Sequence, residues 1–228
     1  MKNTQEIHDL EELLHDSSIR IIGVIADKNQ GKSNVLYNII NIAKAKAPDT
    51  QIVGFKLSIY VPGIIMINSL VELSKVSNSL IILDEWADLV DTMNRKDMKS
   101  FEALLRTIYH PYRNNTIIMC GLARNFNGKI SGELEAVIFK QTTVIDIVQR
   151  SRIDNILKSF RSEGHAIKND YMLVCPKNGA LIYRPGEPKD FHYIEIPYLP
   201  EYDVKSNNEP VIKWSDDTRL SRRLETLV

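Results

Sequence analysis

Between an apolar, β-branched run, Ile19 to Ile25, and the helical pattern NVLYNIINIAKAKA lies the turn ADKNQGKS, Ala26 to Ser33. A strand that feeds directly into a glycine-containing turn and then a helix commits the chain to an α/β arrangement, because the helix must cross back over the sheet. The helix stops before Pro48, which cannot continue it. This context is the one a phosphate-binding loop requires. Wrapped around a phosphate, Ala26, Asp27, Lys28, Asn29, Gln30 and Gly31 would point backbone N–H groups inward, and the helix start would add the positive end of its dipole. Gly31 lets the backbone approach without a Cβ. Lys32 would then bridge the β and γ phosphates, with the Ser33 hydroxyl on a magnesium ion. Alanine at the first position, where the pattern has glycine, argues against a positive φ at residue 26.

A second motif matches the first. In LIILDEW, Leu80 to Trp86, an apolar strand ends in two acids. Set on a strand neighbouring the loop, Asp84 would hold magnesium through its water shell and Glu85 would polarise the attacking water as general base. The implied ligands are ATP and Mg2+.

Further apolar runs of strand length fall at Gln51 to Leu57, Ile64 to Asn68, Thr116 to Cys120 and Val144 to Val148, with helical patterns at Ser69 to Lys75 and Met98 to Tyr109. Strands alternating with helices predict a parallel sheet covered on both faces. After Tyr171 the pattern changes. YMLVC, ALIYR and HYIEI are short and divided by the turns PKNG and RPGEPKD, which predicts a small antiparallel extension. Ile7, Leu10, Leu13 and Leu14 read as an amphipathic N-terminal helix capped by Asn3 or Thr4. Ser206 to Pro210 reads as a linker, and Trp214 to Leu227 as a last helix.

Charge gives no lead towards a partner, since 29 basic residues balance 29 acidic ones, so any nucleic-acid contact would need a local cluster. Cys120 and Cys175 sit in strand-like runs without metal-ligand spacing, and buried thiols fit a reducing compartment. The N-terminus lacks the apolar core of a signal peptide and no stretch is long enough to span a bilayer, so a cytoplasmic location is expected.

LIILDEWADLVDTM resembles the DEFADL segment after the second acidic motif of the FtsK and HerA superfamily of DNA-pumping ATPases. The likeness extends through TIIMCG and QRSRIDNILKSF to NDYMLVCPKNGALIYRPG, roughly Ile19 to Ile196, and is loose outside the two nucleotide motifs. It implies a three-layer α/β fold of RecA type and a homo-oligomeric ring, usually of six subunits, around duplex DNA. The small single-domain members include genome-packaging ATPases of viruses with internal membranes, which adds capsid or membrane-vertex proteins as partners and the virion as a location. On this reading residues 1–18 form an N-terminal helix, 19–200 the ATPase motor domain, and 201–228 a linker and C-terminal helix.

Two departures from the family stand out. Its γ-phosphate-sensing glutamine is replaced here by Gly121, and the nearest matches to its intersubunit arginine are His110, Pro111 and Arg113. A phosphoryl-transfer site in a ring is usually completed by a neighbour's guanidinium, for which Arg113 is the first candidate and Arg124 the second, with Arg150 and Arg152 weaker. Arg95, Lys96 and Lys99 on one expected loop and Lys129 on another are candidates for DNA phosphates. The expected function is ATP-driven DNA translocation, in the packaging of a viral or mobile-element genome. A filamentous-phage-type assembly or secretion ATPase and a nucleotide-dependent switch stand as alternatives. The first would show a membrane-spanning segment and the second a base-reading motif such as NKxD, and the chain has neither.

Overall fold

The computed structural model describes residues 9–27, 29–55, 57, 59, 61–84, 94–122, 133–140, 178–184 and 192–199. In chain order the elements are α1 (Leu10–His15), β1 (Ile21–Ala26), α2 (Lys32–Lys46), β2 (Gln51–Phe55), β3 (Ile65–Ile67), α3 (Leu70–Leu73) and β4 (Ser79–Leu83). They continue with α4 (Arg95–Ile108), a 3-10 turn (Pro111–Arg113), β5 (Thr116–Gly121), β6 (Ala136–Lys140), β7 (Gly179–Tyr183) and β8 (His192–Glu195).

Every residue of β1, β4 and β6 is buried, which is why these runs show no alternation: each strand is covered on both faces. The strand order among the described residues is β3-β2-β4-β5-β1-β6-β7-β8. The first six strands of that order are parallel, and β7 and β8 are antiparallel additions. Alternate residues of each strand feed two cores. One holds Ile21, Ile25, Ile81 and Leu83 with Leu70 and Leu73 of α3 and Phe101, Leu105 and Ile108 of α4. The other holds Ile22, Val24, Ile82 and Ile138 with Leu10 and Leu13 of α1 and Val35, Leu36, Ile39 and Ile40 of α2. Helices therefore lie on both faces, and the three-layer α/β fold with its antiparallel extension is the one the sequence predicts. Cys120 is a buried thiol in the α2-side core.

Several elements differ from their sequence reading. The cap of α1 is Asp9, whose carboxylate accepts from the Glu12 amide at 2.7 Å, so the helix starts later than Asn3 or Thr4 would set it. β6 was not expected at Ala136–Lys140. α4 begins at Arg95 rather than Met98, because Asn94 accepts from the Lys96 amide at 2.9 Å and caps it. The expected strands Val144 to Val148 and YMLVC, the linker and the last helix lie outside the described residues.

The chain beyond β8 is fixed to α2 by side chains. Asn34 and Asn38 each donate to the Pro197 carbonyl at 2.9 Å, and the Asn34 side-chain oxygen accepts from the Leu199 amide at 3.0 Å. On the other side of the extension, Arg184 holds the Asp16 carboxylate at 2.7 Å and donates to the Ser18 hydroxyl at 2.8 Å.

Candidate active site

β1 ends at Ala26 and α2 begins at Lys32, so the turn between them leaves the C-terminal edge of the parallel strands, where α/β sheets place their ligands. Ala26 is an ordinary strand residue. The left-handed positions are Asn29, at φ 64°, and Gly31, at φ 95°. Asparagine is among the few residues with a side chain that enter this region readily. The Gln30 amide donates to the Asp27 carbonyl at 3.2 Å, and α2 opens with the Val35 amide donating to the Gly31 carbonyl at 3.2 Å. As the helix N-cap, Gly31 has no side chain to accept from the first-turn amides, and no acidic residue lies in that turn. Both features suit an anion.

Along this edge, Asp84 follows β4, Gly121 ends β5, the turn follows β1, and Lys140 ends β6. The sequence reading set β4 next to β1. In the structure β5 pairs with both and lies between them, so Asp84 is two strands from the turn. The separation is bridged by a side chain: Lys32 Nζ lies 2.8 Å from Asp84 Oδ1. Asp84 is fully buried and the Lys32 side chain 12% exposed. The Asp84 amide continues the ladder by donating to the Phe55 carbonyl at 3.3 Å, which fixes where the carboxylate starts.

Ser33 lies in the first turn of α2, beside Lys32. A hydroxyl and a carboxylate are hard oxygen donors of the kind magnesium takes, so by donor chemistry Ser33 and Asp84 would suit that ion. Among the described residues no group of three or more His, Cys, Asp or Glu side chains could hold a metal by itself. Glu85, Lys28, Arg124, Lys129, Arg150 and Arg152 lie outside the described residues.

Arg113 is at the opposite edge, in the 3-10 turn just before β5. Its Nη1 donates to the Lys75 carbonyl at 3.4 Å, its guanidinium lies 5.4 Å from the centroid of exposed Tyr112, and its buried Nε has no hydrogen-bond partner among the described residues. β5 spans 6 residues, so the two edges are about 20 Å apart and Arg113 does not reach the phosphate turn of its own chain. Arg95, Lys96 and Lys99, expected on a loop, lie in the first turns of α4, where Lys96 and Lys99 are exposed. Met66 and Met119 pack in or against the two cores.

Sequence reasoning passed over Lys140. It is 1% exposed, pairs in register with Ala26, and donates to the Gly179 carbonyl on β7. Its stem lies against the phosphate turn, since a Cβ on Gly31 would come within 3.1 Å of Lys140 Cε. The available signal was a lysine closing the apolar run AVIF.

A glycine-containing turn at the C-terminal edge of a helix-covered parallel sheet, with a buried carboxylate two strands away facing Lys32, is the architecture of the P-loop NTPase fold. No protein-family model matches the chain, and no curated protein matches it in sequence. Its fold is similar to the genome-packaging NTPase B204 of Sulfolobus turreted icosahedral virus 2 in complex with sulfate. That match has a TM-score of 0.55 and 12% identity over 79% of this chain and 98% of that one. The same viral protein in complex with ATP-gammaS matches at TM-score 0.51 and 12% identity over 80% of this chain and 100% of that one. ATPases 2 and 3 of EssC from Geobacillus thermodenitrificans match at TM-score 0.52 and 9% identity, over 79% of this chain and 37% of that one. At these identities the likeness is one of fold.

Proposed function

We propose that the chain is an ATPase that drives DNA translocation, and that its work is the packaging of a viral or mobile-element genome. The observation that carries the reading is Lys32 at 2.8 Å from buried Asp84, which brings the two nucleotide motifs into one site. The fold likeness to the packaging NTPase B204 supports the choice of substrate.

In this reading the backbone of residues 26–33 and Lys32 bind the phosphates, and Ser33 and Asp84 hold magnesium. The ion's chemistry there would be to neutralise charge on the phosphoryl oxygens. Glu85 takes the proton of the attacking water. Nucleotide draws Lys32 away from Asp84, which frees the carboxylate for its second role. Arg113, too far from its own phosphate turn, serves a neighbouring subunit, with Arg124 as the second candidate. That need makes a homo-oligomeric ring, six-membered as in the FtsK and HerA superfamily, the working form. Among the described residues no helix is long and apolar enough to cross a membrane.

Exposed Lys96 and Lys99 on α4, with Arg95 and Lys129, supply cations for duplex phosphates. The test is the ATPase rate of the assembled protein against duplex DNA concentration at several salt levels. DNA of any sequence should stimulate turnover, because phosphate contacts position the strand without reading bases. Stimulation should fall steeply with salt as condensed counterions compete. Replacing the four cations with alanine should reduce both the stimulation and its salt slope while sparing basal hydrolysis. A second reading, in which the same ATPase fold drives protein assembly or secretion, is supported by the fold likeness to the EssC ATPases only as far as the ATPase fold itself. A rate indifferent to DNA under all conditions would overturn the DNA reading in favour of that one or of a nucleotide-dependent switch.

A further inference from the structure

At the end of β6, between the phosphate turn and the antiparallel extension, Lys140 is buried to 1% exposure. Its aliphatic stem and its ammonium face different neighbours. The stem lies under Gly31, the left-handed residue at φ 95° that turns the chain into α2, closely enough that a Cβ there would sit 3.1 Å from Lys140 Cε. The ammonium, one bond further on, donates to the Gly179 carbonyl at the start of β7. That carbonyl is itself fixed. Gly179 pairs with Glu195 of β8, and a side chain on Gly179 would overlap the Tyr193 ring. Lys140 also continues the row Ala136 and Ile138 on the face covered by α2, so its direction follows from strand alternation rather than from a chance rotamer.

An ammonium is strongly hydrated, and burying it costs far more than burying a methionine of similar length. Packing alone would be served better by the apolar side chain. What the ammonium adds is a fixed positive charge in a low-dielectric setting, just behind the backbone that would receive an anion, where attraction is weakly screened. We propose that Lys140 is a positioning residue for polyphosphate binding: anchored on the Gly179 carbonyl, it braces the turn at Gly31 and sets a positive charge behind the phosphate loop. The inference rests on the nucleotide-site reading above. It also gives the antiparallel extension a purpose, since β7 supplies the anchor.

The charge acts on phosphates without touching them, so its effect should grow with phosphate number and be separable from stability. The experiment uses the full chain as wild type, Lys140→Met, Lys140→Arg and Lys32→Ala. Calorimetric titration with AMP, ADP and ATP is paired with thermal melting in the absence of nucleotide. Lys140→Met should weaken ATP and ADP binding about tenfold and AMP binding less, through loss of a nearby charge in a poorly screened site. Its melting temperature should change little, since methionine keeps the stem under Gly31. Lys140→Arg, which keeps the charge, should retain most of the ATP affinity. Wild-type ATP affinity in Lys140→Met would overturn the proposal. So would equal losses for AMP and ATP that track a fall in melting temperature, because the role would then be structural. A wild type that binds no nucleotide, or Lys32→Ala with undiminished affinity, would remove the site itself and overturn both readings. Binding by wild type and loss in Lys32→Ala, with Lys140→Met unaffected, would overturn only the role of Lys140.

Discussion

Lys32 and Asp84 are each other's partners in the structure, and each is also assigned to nucleotide or metal. Removing one leaves the other in place: Lys32→Ala takes away the ammonium 2.8 Å from a carboxylate that is fully buried. Breaking a buried pair from one side is destabilising, so the nucleotide-free variant should lose on the order of 3 kcal/mol in urea unfolding. The same variant should lose tight nucleotide binding in a fluorescence titration. Glu85→Gln should bind as wild type and fail in turnover, because a general base matters only once substrate is in place. Nucleotide affinity unchanged by Lys32→Ala would undo the assignment of the loop. These residues were legible because two short motifs carry their chemistry in adjacent positions. Lys140 was not, since its anchor, the Gly179 carbonyl, is 39 positions away in sequence.

Among the elements, the strands β1, β4 and β5 were readable as unbroken apolar runs, and their buried faces explain why. β6 is as apolar, but it follows directly on Glu133 and Glu135 and closes on a lysine, so its four apolar residues are flanked by charge on both sides. The start of α4 was hidden for a different reason. Its first turn exposes Lys96 and Lys99, so no apolar stripe marks it, and only the Asn94 cap does. Between α1 and β7 the contact is ionic and open to a pH test. Burial alone would raise the pKa of Asp16, but hydrogen bonds from Ser18 and the guanidinium of Arg184 outweigh it and hold the carboxylate below its ordinary 3.8. A group lowered on folding stabilises fully above its unfolded value and ceases to do so as pH falls through its folded one. Asp16→Asn should therefore unfold more easily at neutral pH, by no more than about 1 kcal/mol for so accessible a pair. Denaturant midpoints of the two proteins should converge as pH drops below 3.8. A gap that persists undiminished at pH 2 would show that the contact is not carried by the charge.

For the whole molecule, strand order was the feature least visible in advance. Nothing local tells that β5 enters between β1 and β4, because that insertion is decided by how α4 packs and returns the chain. The parallel order sends Arg113 and the phosphate turn to opposite edges, and from this comes an assembly prediction. Specific ATPase activity should rise with protein concentration, and Arg113→Ala subunits doped into wild type should silence more sites than their share if neighbours fire in turn. Full activity of Arg113→Ala at every concentration would exclude it from that role. The asparagine clamp on α2 bears on where the chain can be shortened. A cut after Leu199 keeps the Pro197 carbonyl and the Leu199 amide on Asn34 and Asn38. A cut after Ile196 spares every strand among the described residues and the buried Ile196 side chain, yet strips three hydrogen bonds from the helix that opens at the phosphate turn. The shorter product should melt earlier, by about 2 kcal/mol of stability. Its α2 should also be clipped sooner by protease, whereas the longer product should keep the wild-type digestion pattern up to its new end.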